Sequence, residues 1–252
     1  MNKAFCRKRV LFSFVLTGCL IFFNLSCGLD TFYELKSPFN IVHKPDCSSI
    51  DYTESYFEFF TGAAPDSGVP IKFFGTDVYY KIYQSSSTLQ NQVNELIAVA
   101  NREESTSVAA SRMIETYKYQ PLRGAGYDNV NVLFPAKPKE EDEDKKVDLV
   151  SIRLSNYQDL YPAHITVNGG NIYNSTSRVV PVRNLPSKPS FSFASLNDDL
   201  RPKSDDADVS SSSNNPDLWY VSMFAVAIGQ DENFSPVYSN ILYLGSVQIP
   251  AK

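Results

Sequence analysis

The sequence predicts a mainly β domain, and three observations support this class. The chain holds 15 Tyr and 17 Phe residues, and both side chains favour the half-buried surface of a pleated sheet. Short apolar runs separated by turn residues fill positions 147–195, as expected for successive antiparallel strands. Residues 218–228 (LWYVSMFAVAI) are apolar on both alternating faces, which predicts a central strand covered on both sides.

The first 26 residues predict a signal peptide. Basic residues within 1–9 precede an apolar run at 10–23, whose length suits the apolar region of a leader and is short for a membrane span. The small residue Ser26 then precedes Cys27, as a lipoprotein signal requires. We therefore expect Cys27 to carry lipid and to hold the protein at a bilayer surface.

Cys19 is the alternative lipidation site. The motif LTGC at 16–19 matches the usual bacterial lipobox better by residue type. Cleavage there leaves an apolar region of about six residues, against a usual 7–15, and exposes the apolar residues 20–23. An ordinary secretory signal with incidental cysteines would show the same basic, apolar and cleavage regions.

The residues around Cys27 resemble the leaders of spirochaetal lipoproteins. The segment 24–30 (NLSCGLD) is similar to their looser lipoboxes, with Asn24 where the usual bacterial motif has Leu. This resemblance implies an envelope lipoprotein, anchored in the cell membrane or outer membrane and facing the periplasm or the cell surface.

Residues 27–50 are predicted to be a tether, leading into a first strand near 39–43, and residues 51–252 are predicted to form the folded domain. The clearest early strand is 76–83 (TDVYYKIY), because its side chains alternate between two faces. Tyr79 and Tyr83 share one face. They are weak candidates for binding anchors, since Tyr is enriched at interfaces; the alternative is that they lie beneath inserted helices.

Three insertions interrupt the β pattern. Residues 88–117 have apolar side chains at helical spacing in two runs, which predicts a helical hairpin that either grips a ligand or covers one end of the core. Residues 135–148 are a charged loop with prolines, and residues 197–217 are acidic and Ser-rich, typical of a mobile loop.

Further strands are expected along the rest of the chain. Asn168-Gly169 predicts a tight hairpin turn between two of them. The expected strands are 56–60, 71–74, 130–134, 147–154, 164–167, 171–173, 178–182, 190–194 and 237–249.

The last strands resemble those of fibronectin type III domains. Trp219, Val221, Met223 and Ala225 alternate along one strand, and SPVYSN at 235–240 opens the next. The earlier segment 78–83 is similar to that family's third strand. The resemblance implies a fibronectin type III/immunoglobulin-like β-sandwich with an inserted helical hairpin; two β units divided near 135–148 are the alternative.

Composition and motifs exclude several functions. The net charge is −5, and the leader carries four basic residues and no acid, so the mature chain is at −9; such a domain does not suit nucleic acid. No nucleophile elbow, zinc-protease motif or Walker loop occurs. His164, at the start of a strand, is expected to lie at an edge or on the surface. The carboxylate pairs at 198–199 and 205–206 are expected to lie in a loop that is too unstructured to shift their pKa values.

Two functions remain. The first is a non-catalytic module, held at the membrane by its N-terminal lipid, that binds another protein or envelope component without metal or cofactor. The alternative is a ligand-binding or enzyme-accessory lipoprotein with a pocket between the helical hairpin and the sandwich. If the first function is correct, we expect the chain to have no catalytic residue.

Overall fold

The computed structural model describes most of the chain after residue 33. The predicted signal peptide, Cys19 and Cys27 lie outside the described residues. Within the described part, no helix is long and apolar enough to cross a membrane. The described ranges are 34–49, 51–66, 68–102, 107–127, 129–137, 147–156, 160–210 and 217–251.

Antiparallel strands dominate the described residues, so the mainly β class is confirmed. Two α-helices follow the third strand; these are Ser86–Ala100 (α1) and Val108–Ser111 (α2), the second running into a π-helical turn at Arg112–Thr116. The strands are Phe39–His43 (β1), Phe57–Phe60 (β2), Lys72–Tyr83 (β3), Gln120–Pro121 (β4), Arg123–Gly124 (β5), Phe134–Pro135 (β6), Leu149–Arg153 (β7), His164–Val167 (β8), Gly170–Asn171 (β9), Pro181–Val182 (β10), Leu218–Gln230 (β11), Pro236–Tyr238 (β12) and Leu242–Pro250 (β13).

Two sheets share the main core. The first has the order β1-β2-β7-β8-β9, and the second is built on β3 and β11, with β4 and β6 beside β3 and with β12 and β13 beside β11. Phe57 and Phe59 from the first sheet pack in one buried cluster with Val78, Tyr80 and Val221 from the second. Alternate positions of each strand therefore point into a shared interior.

The helices cover the outer face of the second sheet. Leu89, Val93 and Leu96 of α1 lie in a buried cluster with Tyr79 and Phe224 of the sheet. The prediction that the helices cover one end of the core is therefore wrong, because they lie on a face of the sheet instead. The second helical arm also differs, since its α-helix is only four residues long and continues as the π-helical turn.

Strand β3 runs unbroken across Gly75, where the sequence predicted two separate strands. A register shift against β11 lies between the pairs Ile228–Gly75 and Gly229–Phe73. Gly75 has a φ of +134°, and a Cβ there would lie 2.1 Å from the carbonyl oxygen of Phe134. Glycine thus permits a bulge that keeps the strand continuous while β6 approaches closely.

The acidic, Ser-rich loop at 197–217 is held in place at its described residues 208–210. This finding corrects the prediction that the loop is mobile. Asp208 has no exposed surface. Its carbonyl accepts the Ile82 amide at 2.9 Å, and the Ser210 amide donates to the Ile82 carbonyl at 2.8 Å. Val209 thereby forms a parallel bridge with β3, on the side where the described residues pair with β3 through the short strands β4 and β6.

Other boundaries also differ from the predictions. The tight turn at Asn168-Gly169 is confirmed, because both residues have positive φ between the paired residues Val167 and Gly170. Within the predicted tether, residues 34–49 pack onto the domain, with Leu35 fully buried. The expected strand 237–249 divides into β12 and β13, 130–134 and 178–182 shrink to β6 and β10, and 190–194 is instead a 3-10 turn at Phe193–Ser195.

Candidate functional site

The two tyrosines predicted as binding anchors are buried. Tyr79 is 7% exposed and Tyr83 has no exposed surface, because both lie beneath the helices. The Tyr83 hydroxyl hydrogen-bonds the Tyr119 hydroxyl at 2.8 Å, and Tyr119 in turn bonds the Ser222 hydroxyl at 2.7 Å. These side chains join the helical layer to the sheet, and they are not available to a partner.

A buried ionic network binds the acidic loop to the core. Arg183 donates from Nε and Nη2 to the two carboxylate oxygens of Asp208 at 2.8 and 2.6 Å, and from Nη2 to Asp206 at 2.9 Å. Lys188 pairs with Asp206, and the Tyr80 hydroxyl donates to Asp208. Burial raises the pKa of Asp206, but the bonds from Lys188 and Arg183 outweigh it and lower that pKa. The network therefore holds the loop against the core. Its Asp206 belongs to one of the carboxylate pairs that the sequence predicted to lie in an unstructured loop.

The outer face of the first sheet carries the best candidate for a binding surface. We call it the Arg153 face, and define it by Tyr56, Arg153, Tyr161, His43 and His164. It contains both histidines of the chain. Each of these side chains except Arg153 is half-buried, so the rings are fixed in place and still reach solvent.

Arg153 organises this face from the end of β7. Its guanidinium lies 5.3 Å from the ring centroids of both Tyr56 and Tyr161. Its nitrogens also donate to the carbonyl oxygens of Tyr52 and Thr53 at 2.5 and 2.9 Å. A guanidinium over two aromatic faces is held by its attraction to the π electrons, so one buried cation positions two rings from separate loops.

His43 extends the aromatic surface on β1, the strand beside β2. Its ring stacks on Tyr56 with 3.9 Å between the centroids. Its Nε2 lies 2.8 Å from the Glu54 carbonyl oxygen and 3.6 Å from a carboxylate oxygen of the same residue. Burial, together with the charges of Glu58 and Glu54, raises the pKa of Tyr56. The face therefore combines aromatic rings with an acidic rim.

His164 lies at the first position of β8, as the sequence predicted, but its side chain is half-buried and β8 lies between β7 and β9. Its Nδ1 lies 3.1 Å from the Pro162 carbonyl oxygen, which only accepts, so Nδ1 carries the proton. In the neutral ring, Nε2 then accepts the hydroxyl of Ser151 at 3.3 Å. Burial lowers the pKa of His164, and the charges of Arg153 and Arg178 lower it further, so the ring is neutral at pH 7.

The pair of Ser151 and His164 does not form a complete hydrolytic site. Ser151 lies in the middle of the sheet, opposite Glu58 on one side and Thr166 on the other. The backbone around it therefore belongs to ladder pairing, whereas an oxyanion hole needs backbone N–H groups aimed at the reacting oxygen. Among the described residues, no group of three His, Cys, Asp or Glu side chains is placed to hold a metal ion.

Sequence reasoning missed Arg153 and its two tyrosines. A partial signal exists, because Ser151 and Arg153 alternate with the apolar Val150 and Ile152, which places the polar pair on an outer face. Tyr56 and Tyr161 come from segments flanking different strands, and their meeting depends on the pairing of β2, β7 and β8. Cys19 and Cys27, the predicted lipidation sites, lie outside the described residues.

Comparisons of the chain with protein-family models, curated proteins and solved structures find no match.

Proposed function

We propose that this protein is a lipid-anchored envelope lipoprotein whose domain binds another protein without catalysing a reaction. The Arg153 face is its binding surface. The anchor is Cys27, with Cys19 as the alternative, in the cell membrane or outer membrane. The observation that carries the binding proposal is the placement of Tyr56 and Tyr161 around one buried arginine, with His43 stacked on Tyr56, on the outer side of the first sheet.

The chemistry of this face suits a protein partner. Tyr and Arg are enriched among the residues that dominate binding energy at interfaces. Rings already fixed by packing lose little conformational entropy when a partner binds. The rim is acidic, with Glu54 exposed and Glu58 half-exposed, and the mature chain has a net charge of −9. We therefore propose an envelope protein that presents a basic patch.

We also propose that the domain is a fibronectin type III-like sandwich with an inserted helical hairpin. Support comes from the connectivity, in which β1, β2 and β7 pair in one sheet while β3, β11 and β13 pair in the other. Immunoglobulin-type sandwiches likewise place strands A, B and E in one sheet, together with D, and strands C, F and G in the other. Strands β8 and β9 extend the first sheet, and the helices lie between the third strand and the next of that series.

The alternative function placed a ligand pocket between the helices and the sandwich. The described residues at that boundary favour the interaction module instead. Leu89, Val93 and Leu96 are at most 3% exposed, and they share one buried cluster with Tyr79 and Phe224. The polar groups there are already satisfied, since Tyr83, Tyr119 and Ser222 bond one another.

Radiolabelled palmitate tests the anchor. We expect the Cys27→Ser protein to lose the label and to leave the detergent phase, while the Cys19→Ser protein keeps both properties. Labelling that persists in Cys27→Ser and disappears in Cys19→Ser would move the anchor to Cys19. If neither change affects labelling or partitioning, the lipoprotein proposal is wrong.

Site-specific photo-crosslinking in cells tests the binding face. A photoreactive phenylalanine analogue replaces Tyr161 in one strain and the exposed Glu115, on the helical side, in the control. We expect one discrete protein adduct from position 161, absent from position 115, and weaker when Glu58→Lys reverses the rim charge. Equal adducts from both positions, or none from 161, would contradict the proposal.

A further inference from the structure

The chain joins the described domain beside the C-terminal end of β11. A Cβ on Gly229 would lie 3.3 Å from Leu35 Cδ1, and a Cβ on Gly62 would lie 2.7 Å from the Lys36 carbonyl oxygen. Leu35 is fully buried in a small cluster with Ile71 and Ala227. We call this the attachment end of the domain, defined by Leu35, Gly62 and Gly229.

A rigid turn projects an aromatic ring from the same end. Residues 231–235 connect β11 to β12, directly after Gly229 and Gln230. Asp231 Oδ1 accepts the amides of Asn233 and Ser235 at 2.9 and 2.7 Å. Gln230 Nε2 donates to the Phe234 carbonyl at 3.0 Å. These bonds fix the turn that carries Phe234.

Phe234 is unusual in two independent respects. Its side chain is 79% exposed, more than that of any other large apolar residue described. Its φ is +64°, a left-handed conformation that is rare for a bulky residue and that costs energy unless the surroundings impose it. A second ring, Phe39, is 46% exposed and follows Pro38, whose nitrogen lies near Gly62.

The length of the tether indicates what this end faces. Cys27 is eight residues before Leu35, so a lipid on Cys27 is held within about 28 Å of Leu35 even if the chain is fully extended. Strand β11 extends about 40 Å from Gly229 back to Leu218. The attachment end is therefore the part of the domain to which the tether is joined, and the opposite end of β11 lies about 40 Å away from it.

We propose that Phe234, assisted by Phe39, inserts into the interfacial region of the bilayer that holds the lipid anchor. This inference rests on the proposed lipidation of Cys27. Phe side chains on interfacial segments bury into the boundary between headgroups and acyl chains, and the turn exposes one beside the point where the tether joins the domain. The neighbours Asp231 and Glu232 are acidic, so insertion requires no anionic lipid, and phosphatidylcholine suffices.

This contact would also orient the candidate binding surface. In β7, Leu149 pairs with Phe60 and Ile152 with Phe57, while Phe60 pairs with Phe39 in β1. Arg153 is thus at the end of β7 away from Phe39. Insertion of Phe234 and Phe39 would turn the Arg153 face away from the lipid, toward a partner.

Fluorescence quenching by brominated lipid tests the insertion on the full, lipidated protein in phosphatidylcholine vesicles. The native Trp219 is 2% exposed and supplies a constant background. We expect the added emission of Phe234→Trp and Phe39→Trp to shift to shorter wavelength and to lose at least half its intensity in brominated vesicles. Leu160→Trp is the matched control, because Leu160 is 73% exposed and lies between β7 and β8, away from the attachment end.

Flotation of the same vesicles separates the two possible failures. If the variants float with the vesicles and Phe234→Trp and Phe39→Trp are quenched no more than Leu160→Trp, the insertion is wrong and the anchor stands. If the proteins do not float, the lipid anchor is wrong and the insertion falls with it. Quenching that appears only with anionic lipid would overturn the interfacial mechanism.

Discussion

Arg183 and Asp208 form an ion pair through two hydrogen bonds, and the guanidinium has no exposed surface. The pair joins the acidic loop, which the sequence predicts to be mobile, to the core. We expect Asp208→Asn to lower the free energy of unfolding by about 3 kcal/mol, because removing one partner leaves a buried charge uncompensated. Asp206 also bonds Arg183, which keeps the loss near the lower end of the usual range of about 3–5 kcal/mol. Urea denaturation measures the change.

The control for this pair is a surface ion pair in the same loop. Arg201 bonds Asp198, whose side chain is 93% exposed, so Asp198→Asn should change the free energy of unfolding by less than about 1 kcal/mol. Equal effects of Asp198→Asn and Asp208→Asn would show that the buried network does not fasten the loop.

Gly75 should tolerate no side chain. Its φ of +134° disfavours any L-residue, and a Cβ would meet the Phe134 carbonyl oxygen at 2.1 Å. We expect Gly75→Ala to lower the free energy of unfolding by about 1–3 kcal/mol or more, because the clash forces β6 away from β3. Thermal unfolding followed by circular dichroism measures it.

Gly126 provides the comparison for Gly75. Its φ is also positive, at +80°, but no atom lies within 4 Å of the Cβ position. Gly126→Ala therefore carries only the backbone penalty, about 1–2 kcal/mol. If Gly75→Ala and Gly126→Ala lower the free energy of unfolding equally, the close approach of β6 to Gly75 adds no measurable penalty.

The parts of the fold that follow from local pattern were predictable. Period-two alternation correctly separated Val78 and Tyr80, which face the main core, from Tyr79 and Tyr83, which face the helices. Apolarity on both faces correctly marked β11 as a strand covered on each side. In these cases the evidence lies within a few neighbouring residues, so the sequence carries it directly.

Features that depend on distant pairing were not predictable. The composition of residues 197–217 indicates a solvated loop, and the pairing of Asp208 with Arg183 becomes apparent only when residues 25 positions apart meet. The same holds for Arg153, whose two tyrosines lie 105 positions apart in the chain and converge through strand pairing. The pattern of a single sequence identifies such residues only as polar or aromatic.

His164 should make stability depend on pH in one direction. Its pKa in the folded protein is lowered from the ordinary 6.5, mainly by burial, so the unfolded chain binds its proton first as the pH falls. Its contribution to stability is full above about pH 6.5 and is lost as the pH falls through the lower folded value. Urea unfolding between pH 7.5 and 5 should show this decline.

His164→Asn is the variant that isolates this contribution. We expect its free energy of unfolding to vary less between pH 7.5 and 5 than that of the unchanged protein, because the titrating group is gone. A chemical shift titration of the two histidine rings assigns the transition. An unchanged pH slope in the variant would mean that His164 does not titrate below its ordinary range.

Cys47 should report the opening of the sheet edge beside β13. It is a free thiol, 6% exposed, and its carbonyl accepts a hydrogen bond from the Gln248 side chain. The Pro45 carbonyl accepts the Ser246 amide. Residues 45–47 thus cover the side of β13 that no strand of the described residues occupies, and the thiol is shielded while they stay in place.

We expect a maleimide to label Cys47 slowly in the folded protein and rapidly in denaturant, as read from the mass of the peptide that contains it. An introduced thiol at the exposed Asp198 (Asp198→Cys) should react at once and sets the unprotected rate. Gln248→Ala should speed labelling of Cys47, because it removes the hydrogen bond that the Gln248 side chain donates to the Cys47 carbonyl. Labelling of native Cys47 at the rate of position 198 would mean that residues 45–47 do not cover the edge in solution.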